Sequence, residues 1–430
     1  MVDFGGILTK VGLALDSQIE RAVSRSAKMD EDMADGPVEF ADVSSEDTYS
    51  GADFSGAVVS GTDWTTETIA NQLSRGNIVL DPVFQRRDAW SIAQKSRFIE
   101  SLIMGLPVPQ IVLAESAQRG KFIVLDGKQR LLSILQFWNL GDGKNNGYRL
   151  RELKIKSNLN AVNFTELESS PKFRDDFNSL SNQSVRTVVI KNWRSTDFLH
   201  EVFLRLNTGT LKLSPQELRQ ALMPGDFTNW VDTAASGSAG LAKLLKLPTN
   251  EGKPVPDPRM RDAELFARYI GMATRLESYE GRMKDFLDAT FKSFNSSWTT
   301  DQAKLHALLN DFESGVEALI KIFKNEVARK PGSPQLNKTI FDLLIFYARS
   351  EAIRNAMLQV PEAVCSSYKA LFKDRSFNEA VDKDTAGLPP TCYRLEKWGR
   401  ALNEVLPVQF TIPRMVTNDD ESRGIVFGGF

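Results

Sequence analysis

Apolar and polar positions divide the chain into a mixed first half and a helical second half. Order begins near Trp64. Glu67 to Leu73 reads as a short helix, and Ile78 to Phe84 as an extended segment broken by Pro82. Ile92, Phe98, Ile99, Leu102 and Ile103 recur at helical spacing over Ser91 to Met104, after which Gly105, Pro107 and Pro109 turn the chain into a strand at Gln110 to Ala114. A second strand, Lys121 to Leu125, follows a short polar loop, so the two are expected to pair as neighbours. A turn at Asp126 and Gly127 then opens a helix carrying Leu131, Ile134, Leu135 and Trp138. Val185 to Ile190 is a β-branched strand, and Asp197 to Leu206 a helix. Ser214 caps another helix, with Pro215 at its first position and Glu217 completing a capping box. Residues 225–258 read as loops around a short helix near Leu241 to Leu247. From Met260 onward the apolar spacing is helical almost throughout, and Thr417 to Phe430 is polar and glycine-rich.

These patterns predict an amphipathic helix and acidic flexible segment over 1–60, an α+β domain over 61–225, a linker over 226–258, a helical domain over 259–410 and a tail over 411–430. Leu8, Val11, Leu15 and Ile19 share the helical face of the first segment, and residues 30–53 are acidic and poor in large aliphatics. GDGKNNG at 141–147 lacks the oxygen ligands of a calcium loop and reads as solvated.

Composition removes several function classes. Hydrophobic residues make up 42% and charged residues 25% of 430, which is globular, and no apolar run approaches the roughly 20 residues that span a bilayer. A net charge of -2 confines any nucleic-acid site to a local patch. The basic stretches Lys191 to Arg194 and Lys321 to Lys330 read as solvated faces. Two cysteines, Cys365 and Cys392, and two histidines, His200 and His306, offer neither zinc-ligand spacing nor a hydrolytic triad nor an HNH centre. Without a disulfide framework the expected compartment is the cytoplasm.

Candidate chemistry concentrates at Asp126-Gly-Lys-Gln-Arg130. Asp126 suits an N-cap, Gly127 permits close approach to the backbone, and Lys128, Gln129 and Arg130 place two cations and an amide on the first helical turn. The exposed N–H groups and positive dipole end of such a helix suit an anion, phosphate above all. The plainer alternative is a capped helix with solvated basic residues. Trp90, Phe137 and Trp138 sit on apolar helix faces and read as core.

Three further stretches, PVFQRRDAW at 82–90, SLIMGLPVPQIVL at 101–113 and FLRLNTGTLKLSPQELR at 203–219, stand in order around IVLDGKQRLLSILQFW. Together they resemble the DGQQR-containing N-terminal domain of GmrSD-type modification-dependent restriction proteins, a member of the ParB/sulfiredoxin-like superfamily. The resemblance spans about 62–222. It implies an α+β, ParB/sulfiredoxin-like nucleotide-binding core, followed here by an all-α domain, with a nucleoside triphosphate held at the DGQQR turn; GTP or ATP is the expected nucleotide, and the hard oxygen ligand of Asp126 makes Mg²⁺ the expected metal. It implies NTPase activity in prokaryotic defence against phage or other foreign DNA. Carried over by motif, Asp126, Gly127, Gln129 and Arg130 match the turn, Gln85 and Arg86 fall in a pocket-lining stretch, and Asn207 matches the later motif. Lys128 stands where the family usually has Gln. Many members continue into an HNH nuclease domain, whose pattern is missing after Met260, so DNA cleavage would fall to a partner.

The implied roles are catalytic for Asp126, Gln129 and Arg130, with Asp126 as the Mg²⁺ ligand, and nucleotide-binding for Gln85, Arg86, Gly127, Lys128, Arg130 and Asn207. Candidate partners are DNA and a nuclease or other defence protein; no membrane is expected, and self-association is left open. The alternative is a ParB-like switch that binds nucleotide without turnover and acts as a DNA-binding or assembly module. A third reading is a scaffold that has lost its ligand.

Overall fold

The computed structural model describes residues 57–80, 88, 90–116, 118–140, 147–194, 198–199, 202, 214–250, 252–417 and 423–426. The readings for the first fifty-six residues, the 141–146 loop, His200 and most of the 197–206 helix lie outside these.

The β-branched and aliphatic runs form β1 (Val58–Thr65), β2 (Ile78–Val79), β3 (Ile111–Glu115), β4 (Phe122–Asp126) and β5 (Ser184–Lys191), in one mixed sheet ordered β1-β5-β3-β4-β2. β3 and β4 pair antiparallel, as their spacing predicts, while β5 runs parallel to β3 and antiparallel to β1. The β3–β4 register shifts between Val112 and Leu113, so Asp126 lies opposite Val112 and Val124 opposite Leu113. Such an irregularity re-aims the end of a strand.

Side chains alternate across the sheet and both faces are covered. Ile111, Leu113 and Val124 enter one core with α1 (Thr66–Ser74), α2 (Ile92–Ile103), α3 (Lys128–Phe137), α4 (Phe164–Ser169) and α5 (Arg174–Asn182), which contribute Ile69, Ile99, Ile134, Leu167 and Leu180. Phe137 is buried there, with Trp90 and Trp138 packed against it. Val112, Ala114, Leu125 and Ile190 face the other way, toward Leu199 and toward Leu218 of α6 (Pro215–Leu222). The β4–α3 turn therefore sits where two cores meet at the end of a strand.

Residues 225–258, read from sequence as loops with one short helix, carry two, α7 (Asp226–Gly237) and α8 (Ala239–Leu245), before a small hairpin of β6 (Thr249–Asn250) and β7 (Lys253–Pro254). Phe227, Val231 and Leu241 belong to the same core as the later helices. These are α9 (Arg261–Arg275), α10 (Met283–Ser296), α11 (Trp298–Phe323), α12 (Lys338–Ala348), α13 (Glu351–Gln359), α14 (Pro361–Leu371), α15 (Arg375–Asp382) and α16 (Leu388–Val405). A hairpin of β8 (Arg414–Thr417) and β9 (Arg423–Val426) follows, where sequence indicated a loose tail, and its Ile425 is fully buried in the helical core. None of the helices among the described residues is long and apolar enough to cross a membrane.

α9 is the buried axis of this region. Leu265, Phe266, Tyr269 and Ile270 are each at most 1% exposed. Its Arg268 meets Asp342 of α12 with Nε at 3.1 and 3.0 Å from the two carboxylate oxygens, and Lys338 Nζ lies 2.7 Å from both oxygens of Glu264. Buried charges persist when so paired.

Candidate functional site

Asp126 closes β4, and Gly127, at φ 96° and ψ 13°, starts α3 with no side chain capping it. Asp126 thus departs from the expected N-cap role: its backbone is held in the ladder opposite Val112, and its carboxylate accepts from Arg130 instead. Left-handed backbone strains any residue with a Cβ, and a Cβ on Gly127 would also meet Ile111 Cγ1 at 3.1 Å and Arg130 Nε at 3.4 Å.

Arg130 is fixed at two points. Its Nη2 donates to Asp126 Oδ2 at 2.8 Å and to the carbonyl oxygen of Gln110 at 3.0 Å. Its Nε is buried with no hydrogen-bond partner. The Arg130 side chain is 13% exposed and that of Asp126 35%, so the turn is open to solvent at the carboxylate. Gln129 accepts the Trp90 N–H at Oε1, 3.2 Å away; a main-chain donor requires the oxygen there, which fixes the orientation of the amide.

Lys128 lies elsewhere. Its Nζ stands 3.3 Å from Glu217 Oε1 on α6, with side chains 6% and 3% exposed. The capping box predicted at Ser214 is present, Ser214 N–H donating to Glu217 Oε2 at 2.7 Å and Glu217 N–H to Ser214 Oγ at 3.1 Å. Arg259 Nη1 approaches the same Oε2 at 3.6 Å.

Sequence reasoning passed over a second polar group. Lys95 of α2, almost wholly buried, pairs with Asp88 and donates to Gln136 Oε1 of α3 at 2.7 Å, while Gln136 Nε2 donates to Asp88 Oδ2 at 2.9 Å. With the Trp90–Gln129 bond, this ties the chain following the QRR stretch to α3. Burial, and then Asp88, hold the Tyr148 hydroxyl well above its ordinary pKa. The only local signal was an acidic residue after two arginines, which reads equally as solvated charge.

Gln85, Arg86 and Asn207 lie outside the described residues. Among those described, no group of three or more His, Cys, Asp or Glu side chains forms a metal site. The basic stretch at 321–330 is partly neutralised, Lys321 by Glu317 at 2.8 Å and Lys330 by Asp382. A shallow cleft between α6 and α10, lined by Leu218, Arg219, Lys284 and Asp288, does not include the turn.

The arrangement suits a bound anion: a helix N-terminus lacking a side-chain cap, a glycine at the approach, and a pre-positioned guanidinium. Residues 67–224 match the family described as GmrSD restriction endonuclease, N-terminal domain. No curated protein matches the chain, and no solved structure does.

Proposed function

From the match of residues 67–224 to the GmrSD N-terminal domain, we propose that this protein binds a nucleoside triphosphate at the β4–α3 turn within a prokaryotic, restriction-like anti-phage defence system. The carrying observation is Arg130, held by Asp126 and Gln110 beside the N-terminus of α3. The core is taken as ParB/sulfiredoxin-like on the family resemblance.

In this reading Arg130 and the Gly127 backbone hold phosphate, and Gln129 adds an amide donor. Gln85 and Arg86, three and two residues before Asp88 in the chain, and Asn207 supply the pocket walls by motif. Asp126, whose carboxylate is a hard oxygen ligand, is the residue that would hold Mg²⁺. A single carboxylate fits an ion that takes most of its remaining ligands from phosphate and water, and such an ion would supply neutralising charge to the phosphate oxygens. Hydrolysis of the terminal phosphate, with Gln129 and Asp126 orienting water, is coupled to DNA or to a partner protein that performs any cleavage.

One observation favours the alternative of a switch that binds without turnover: Gln129 Oε1 is engaged by Trp90 and Asp126 by Arg130, so both groups that would manage the water already have partners. Phosphate release and thermal shift with GTP, ATP, CTP and UTP, with Mg²⁺ and with and without DNA, separate the readings. Release above background supports the NTPase; a shift without release supports the switch. No shift with any nucleotide refutes both.

A further inference from the structure

We infer that Glu217 is a positioning residue that carries the state of the phosphate turn to the helical region through the bridge Lys128–Glu217–Arg259. The inference rests on the phosphate-binding reading and adds a route to it. Lys128 directly follows Gly127, and its amine is withdrawn from the turn into a buried pair with Glu217 Oε1. The second oxygen of that carboxylate accepts the Ser214 N–H and faces Arg259. One buried side chain therefore touches the turn, the start of α6 and the chain entering α9.

The far end is rigid. Arg259 N–H donates to Asp257 Oδ1 at 2.7 Å, Arg261 Nε donates to Asp257 Oδ2 at 2.7 Å, and Asp257 is fully buried. Met260, also fully buried and left-handed at φ 55°, leads directly into α9. A shift of the turn that moves Lys128 alters the charge facing Glu217, and the low-dielectric surroundings leave Arg259 to respond. α9 then transmits it, because its Arg268–Asp342 and Glu264–Lys338 pairs join it to α12.

Hydrogen exchange of the full-length protein, with and without the nucleotide giving the largest thermal shift, tests this. In wild type, nucleotide should slow exchange over both 122–137 and 261–275, the latter by about fivefold or more, the lower range of site-to-site coupling. Arg259→Gln, at a side chain 30% exposed, should keep the protection at 122–137 and lose it at 261–275, and Arg259→Lys should restore part of it. Protection at 261–275 undiminished in Arg259→Gln, or missing in a wild type protected at 122–137, overturns the bridge while leaving the binding site standing. If Arg259→Gln does not fold, Arg259→Met decides by the same comparison, with undiminished protection at 261–275 counting against the bridge. Absence of protection at 122–137 in wild type overturns the binding site and the bridge with it.

Discussion

A single nitrogen of Arg130, Nη2, stands 2.8 Å from Asp126 Oδ2 and 3.0 Å from the Gln110 carbonyl, so one guanidinium fastens the end of β4 to the segment leading into β3. Arg130→Ala removes a charge-assisted donor from the turn and frees Asp126. A charged hydrogen bond contributes about 1.5 to 3 kcal/mol, so nucleotide affinity should fall roughly ten- to a hundredfold or more. Titration calorimetry measures it, and unchanged affinity removes Arg130 from the site.

Gly127 and Gly120 provide a matched pair. Both are left-handed, at φ 96° and 80°, yet a Cβ at Gly120 meets nothing within 4 Å whereas one at Gly127 meets Ile111 and Arg130. Alanine at either position incurs about 1 to 2 kcal/mol of backbone strain. Gly127→Ala should cost more than Gly120→Ala in urea denaturation and should also weaken nucleotide binding, while Gly120→Ala leaves binding alone. Equal stability losses would show that the close approach of Ile111 does not matter.

Asp342→Ala leaves Arg268 buried without its carboxylate, for which the expected loss is about 3 to 5 kcal/mol. The double variant Arg268→Met with Asp342→Leu should recover most of it, because removing both charges also removes the desolvation cost. Denaturant midpoints followed in the helical region test the pair. A single variant within 1 kcal/mol of wild type would contradict its buried character.

Alkaline pH should unfold the helical region. Burial pushes the Cys392 thiol from its ordinary 9.0 up to about 11, and the Tyr279 hydroxyl from 10.0 up to about 12. Burial likewise drives Tyr269, Tyr347 and Tyr368 upward. Folded-state values above the unfolded ones mean a contribution fully present below the unfolded pKa and lost as pH rises through the folded one. Stability should therefore decline from about pH 9 to 11 through Cys392, and from 10 to 12 through Tyr279. Burial also raises the Cys365 thiol, so Cys392→Ala should lessen the decline between pH 9 and 10 without abolishing it, read from denaturant melts at stepped pH.

The capping box at Ser214 shows what the sequence disclosed and what it withheld. Its reciprocal bonds depend on residues three apart, and both are present. The other oxygen of the same Glu217 meets Lys128, 89 positions away, and no local pattern encodes that. The β3–β4 pairing and the helical character of the chain after Met260 were legible because their period is local. Asp126 was misread as a cap because aspartate favours both caps and strand ends near turns, and the exact register of the β3–β4 ladder, which the spacing does not set, decided between them.

β1 has its ladder only with β5, and β5 also separates β1 from β3. Ser60 Oγ bonds the Val189 carbonyl across 129 positions. During synthesis, then, β1 emerges early and waits for residues 184–191 before any of its backbone is satisfied, while β3 holds an open edge over the same interval. Long-range pairing of this kind slows folding and exposes strand edges to other chains. A ribosome stalled short of residue 184 would present both edges at once, making the fifth strand the step at which the domain passes from aggregation-prone nascent chain to closed sheet.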